Sequence, residues 1–97
     1  MLRGADLACR FGGDEFCLLL PETDLAGAHA IAERLRAAVA RMRVRVDRAA
    51  LRTTVSIGLA AFPDHDTGDL NDLLRRADEA LYRAKRTGRD RVVPYAA

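Results

Sequence analysis

The sequence predicts an α+β domain, and three features carry that expectation. Two short apolar stretches flank a Gly-Gly pair near the start. Two longer segments repeat apolar residues at three- and four-residue steps. A third stretch alternates apolar with small residues. The predicted order is ββ-α-(β)β-α-β, an antiparallel-containing sheet with helices on its face.

Leu7, Cys9 and Phe11 alternate with Ala8 and Arg10, the period of a strand, and 16–20 (FCLLL) is a second apolar run. Around Gly12-Gly13 the two read as a hairpin, ended by Pro21. Thr23 or Asp24 caps a following helix. Its apolar stripe is Leu25, Ala28, Ala32, Leu35, Val39 and Met42, with Glu33, Arg34, Arg36 and Arg41 on a solvated face. A short strand over Val44–Val46 leads to a longer one over 53–62, where Val55, Ile57 and Leu59 alternate with Ser56, Gly58 and Ala60. The segment 63–68 is a loop rich in Pro, Asp and Gly. A last helix is expected over 71–87, with Leu70, Leu73, Leu74, Ala77, Leu81 and Ala84 buried and Gly88 as its left-handed cap. A closing strand over 91–95 completes the chain.

Composition narrows the class. Ninety-seven residues make one small domain, with 49% hydrophobic and 31% charged residues, the balance of a soluble globular chain. A net charge of +2 does not argue for nucleic-acid binding, yet would not repel a phosphate ligand. Of the 16 basic residues only Lys85 is a lysine, a bias that a GC-rich coding sequence explains. Cys9 and Cys17 lie symmetrically about Gly13, can face each other across the hairpin, and are expected as reduced thiols. Neither they nor His29 and His65 have metal-ligand spacing. No apolar run approaches the ~20 residues of a membrane span, and no secretory signal is present, so a cytoplasmic location is expected.

Gly12-Gly13-Asp14-Glu15-Phe16 resembles the signature of the GGDEF family of diguanylate cyclases. Three further matches stand at the family's spacing. Arg3 and Asp6 resemble its RxxD inhibitory site, and Val55-Ser56-Ile57-Gly58 its S-I-G strand. The block 77–91, ADEALYRAKRTGRDR, resembles A-D-x-A-L-Y-x-A-K-x-x-G-R-x-R. Together they cover essentially the whole chain and imply a nucleotide-cyclase, ferredoxin-like sheet.

The resemblance also implies a chemistry: two GTP molecules condense to cyclic di-GMP, each 3′-hydroxyl attacking the other's α-phosphate with loss of pyrophosphate. Such in-line transfer asks the protein for positioning and charge stabilisation. Asp14 and Glu15 would be the catalytic acids and would hold Mg²⁺ (or Mn²⁺) against the triphosphate, Glu15 as a second ligand. Gly12 and Gly13 would let backbone approach the nucleotide closely. Lys85 and Arg89, four apart and read as neighbours on one helix face, would meet the β- and γ-phosphates. Arg3 and Asp6, with Arg34 from across a homodimer, would form the product-feedback site. Arginine suits the O6/N7 edge of guanine, and a carboxylate suits its N1/N2 donors.

Plainer readings of each group stand beside these. The Gly-Gly-Asp-Glu segment is also an ordinary tight turn with solvated acids. Lys85 and Arg89 also suit a basic helix end, which the macrodipole favours. Arg34 also suits plain solvent exposure.

The chain reads as a partial GGDEF domain over 1–97. Compared with the family pattern, it lacks an upstream first strand with a D-x-D-x-F-K-type metal aspartate, the guanine-recognising Asn and Asp, and two helices. That strand belongs between the hairpin and the S-I-G strand, so weak or absent turnover is expected of the chain alone. A sensory domain is expected upstream. The alternative is a non-catalytic module that binds cyclic di-GMP or GTP, or a fragment whose motifs are idle.

Overall fold

A computed structural model describes residues 7–10, 16–20, 23–61 and 69–96, and for 7–10 and 16–19 the backbone alone. The expectations for Arg3, Asp6, the Gly12-to-Glu15 turn, Pro21, the 63–68 loop and His65 lie outside the described residues.

β1 (Leu7–Arg10) and β2 (Phe16–Leu19) pair antiparallel, with Cys9 in register with Cys17. The segment 11–15 therefore joins adjacent strand ends. α1 spans Leu25–Arg41 and is capped by Asp24, whose carboxylate accepts from the Gly27 N–H at 2.8 Å. Asp24→Ala leaves that N–H to water and is expected to lower stability by about 1 kcal/mol. The check is the thermal midpoint, which should fall by roughly 4–8 °C.

Met42 was expected in the α1 stripe, but the helix stops one residue earlier. Met42 is extended (φ −67°, ψ 142°) and 52% exposed. The chain then forms a hairpin, β3 (Val44–Val46) against β4 (Ala49–Leu51), around Asp47 at φ +55°. Its strands are exposed, and their backbone stands apart from the other described elements.

β5 is Ile57–Leu59, much shorter than the expected 53–62, because its partner β6 (Val92–Pro94) is also three residues long. They pair parallel, and two further hydrogen bonds, Ile57 N–H to Arg91 O and Tyr95 N–H to Leu59 O, prolong the ladder. A parallel pair needs a crossover. α2 (Leu70–Arg86) provides it, begun by Asp69, whose carboxylate accepts from the Asp72 N–H at 2.7 Å. Around that first turn Asp72 also accepts from Arg75, and this hydrogen bond holds its carboxyl below the usual range.

Both helices lie against β5 and β6. The buried set among the described residues is Ala28, Ala32, Ala61, Ala80 and Ala84. Close approach, rather than bulky side chains, is the mode of packing. Gly58 shows why: a Cβ there would run into the α2 backbone at Ala77, Ala80 and Leu81. α2 thus sits directly on β5, which explains why Ala80 is enclosed although it lies outside the expected stripe. Leu70 was expected to be buried, but it opens the helix and is 53% exposed.

The described strands form three separate pairs, β1–β2, β3–β4 and β5–β6. Each pair keeps unpaired outer edges among the described residues. Among the described residues, the backbone of β1–β2 stands apart from the β5–β6 unit.

Candidate functional site

The described part of the site is the end of α2. Thr87 caps the helix by its N–H and its hydroxyl, both donating to Arg83 O at 2.9 and 2.7 Å. The Arg89 N–H then reaches back to Ala84 O at 2.9 Å. That six-to-one bond, with Gly88 at φ +131°, is the signature of a Schellman ending. Lys85 is therefore in the last helical turn and half-buried, whereas Arg89 is past the helix and exposed. This corrects the expectation that the two share a helix face: the spacing of four is interrupted by the cap. Both still lie at the carboxyl end of α2, where Arg83 and Arg86 add positive charge. The helix presents its negative pole there, so attraction of an anion must come from the side chains.

After Gly88, two further residues take the left-handed region, Arg89 at φ +61° and Asp90 at φ +45°. Non-glycine residues enter it at a cost, so consecutive ones need outside support. Asp90 supplies two points of it. Its N–H donates to Ser56 Oγ of the chain entering β5 at 3.2 Å, and its Oδ1 accepts from Arg36 Nη1 of α1 at 2.8 Å. Arg36 Nε also donates to both Glu33 carboxylate oxygens, at 3.0 and 3.1 Å. The hydrogen bond to Arg36 holds the Glu33 carboxyl below the usual range, and the two acids push the Arg36 pKa up. Arg91 Nε closes the turn on Arg89 O at 2.9 Å.

Arg36 was expected on the solvated face, but its side chain is only 21% exposed and ties α1 to the turn. Its spacing in α1 carries no hint of this, because the partner lies 54 residues away. An open concavity of about 440 Å³ adjoins the turn, lined by Ala40, Arg52, Thr53, Thr54 and Asp90.

Arg34 is exposed on α1. Gly12, Gly13, Asp14, Glu15, Arg3 and Asp6 lie outside the described residues. Among the described residues, no three His, Cys, Asp or Glu side chains gather as a metal site. None of the described helices is long and apolar enough to cross a membrane.

A βαβ unit whose helix-to-strand turn is cationic, beside an antiparallel β1–β2 pair, is the described part of an α+β domain. The family model "Diguanylate cyclase, GGDEF domain" matches residues 1–91, and the chain belongs to this family. It is 47% identical over 91 residues to the diguanylate cyclase DgcP of Pseudomonas aeruginosa, covering 94% of this chain and 13% of that protein. Among solved structures it resembles the diguanylate cyclase SiaD of P. aeruginosa, crystallised with its activator SiaC. That match has a TM-score of 0.85 at 45% identity, over 96% of this chain and 35% of that one. It also resembles the GGDEF domain of DgcB from Caulobacter crescentus in complex with c-di-GMP, with a TM-score of 0.84 at 29% identity. The match covers 95% of this chain and 54% of that one. The chain thus spans between 13% and 54% of the length of these three relatives.

Proposed function

We propose that this chain supplies the signature hairpin and the phosphate-binding turn of a diguanylate cyclase, which condenses two GTP molecules into cyclic di-GMP. The observation that supports the reading most is the placing of Lys85 and Arg89 around the Schellman ending of α2. There, two cations can meet the β- and γ-phosphates without a helix dipole to help. Asp14 and Glu15 offer hard oxygen ligands, the donor type that Mg²⁺ or Mn²⁺ prefers. When bound, the metal neutralises triphosphate charge. Gly12 and Gly13 let the backbone come close to the nucleotide. The protein's task is to hold one 3′-hydroxyl in line with the other nucleotide's α-phosphate, which a two-fold homodimer does symmetrically.

Arg3 and Asp6, with Arg34 from the other copy, serve as the product-inhibitory site. The GGDEF domain of DgcB, crystallised in complex with c-di-GMP, supports binding of that ligand by a domain of this family. A cytoplasmic location and control by a sensory domain belong to the same reading, and turnover by the 97-residue chain by itself is expected to be low.

Calorimetric titration with Mg·GTP tests the phosphate assignment. The Lys85→Ala/Arg89→Ala variant should bind at least about 10-fold more weakly, the loss expected for charge-assisted contacts. Unchanged affinity would contradict it.

A further inference from the structure

We propose that Asp90 is a positioning residue that holds Arg89 ready for a phosphate group. The proposal rests on the phosphate-binding reading of Lys85 and Arg89.

Three successive residues, Gly88, Arg89 and Asp90, have positive φ, and only the first is glycine. A free chain would leave this geometry, because each left-handed non-glycine residue is disfavoured. Asp90 ties the turn to two different elements, through Ser56 Oγ before β5 and through Arg36 on α1. Arg36 is itself fixed by Glu33 through both carboxylate oxygens. The Arg89 backbone is thereby held from both sides, by Ala84 O before it and by the Asp90 anchor after it. An acid next to a cation that binds anions is electrostatically the wrong sign. Its presence makes sense as mechanical support, since aspartate combines tolerance of the left-handed region with an acceptor for Arg36.

That sign conflict makes the test decisive. If Asp90 were only a nearby charge, removing it would strengthen binding of any anion. If it positions Arg89, removing its acceptor weakens binding. The probe is inorganic triphosphate, which carries no guanine, titrated calorimetrically into the full chain. Asp90→Gly keeps the backbone freedom and loses the acceptor, and affinity should fall about fivefold, about 1 kcal/mol. Asp90→Asn loses the same charge but keeps both the acceptor and the left-handed tolerance, and should bind at least as tightly as the wild type. Ser56→Ala changes no charge and should weaken binding about threefold. Thermal unfolding of each variant confirms that it is folded.

Equal or tighter binding by Asp90→Gly, with Arg89→Ala defective, overturns the Asp90 proposal and leaves the phosphate reading standing. If Arg89→Ala binds as the wild type does, or the wild type does not bind triphosphate, the phosphate reading itself fails and this proposal with it.

Discussion

Gly58→Ala is expected to destabilise the chain by about 3 kcal/mol, and Gly58→Val by more, because overpacking here meets helix backbone. A Cβ at position 58 would press on the carbonyl of Ala77, the amide of Leu81 and the carbonyl carbon of Ala80. None of these can rotate aside as a side chain would. Relief requires α2 to lift from β5, which would open the fully enclosed positions Ala80 and Ala84. The same lift would move the end of α2, and Lys85 with it. For a domain of this size the Ala variant should melt roughly 12–24 °C below the wild type in a thermal scan followed by circular dichroism. With native stabilities of only about 5–15 kcal/mol, the Val variant should be largely unfolded. An unchanged melting point in both would show that α2 is not seated on this strand.

Much of this architecture was legible because hydrophobic period speaks clearly in long segments. Both helices stand within a residue or two of their expected ends, and Asp24 and Gly88 act as the cap residues that local chemistry predicts. The β3–β4 hairpin was only half visible: its turn is Asp47-Arg48, without the Asn-Gly or Asp-Gly pair that normally announces one. The length of β5 was overestimated, since alternation over 53–62 says nothing about how long its partner is. Of the described site residues, Lys85 and Arg89 stood out by motif, but the Schellman ending between them did not. Arg36 and Asp90 were missed as a pair because an ion pair between α1 and the turn after α2 leaves no local pattern. It emerges only when the chain is folded.

The second large effect belongs to the acids of the signature segment. Asp14 and Glu15 follow Gly12 and Gly13 in the segment that joins β1 to β2, so both acids belong to a stretch between adjacent strand ends. If they are metal ligands, GTP binding must depend on the metal through them. Mg²⁺ also screens the triphosphate in solution, so the informative quantity is the part of its effect that vanishes when the acids are neutralised. Asn and Gln keep the shapes of Asp and Glu while removing their charge, and a neutral amide is a poor partner for a hard divalent cation. Loss of the ligand set should cost about 10-fold or more in metal-assisted affinity.

The most direct measurement of the central claim is therefore the calorimetric affinity for GTP with Mg²⁺ and with chelator, for the wild type and for Asp14→Asn/Glu15→Gln. The wild type should gain at least about 10-fold from Mg²⁺, and the double variant should lose most of that gain while binding metal-free GTP no more weakly. A double variant with the full Mg²⁺ gain would contradict the assignment of these acids as the metal-holding part of a diguanylate cyclase site.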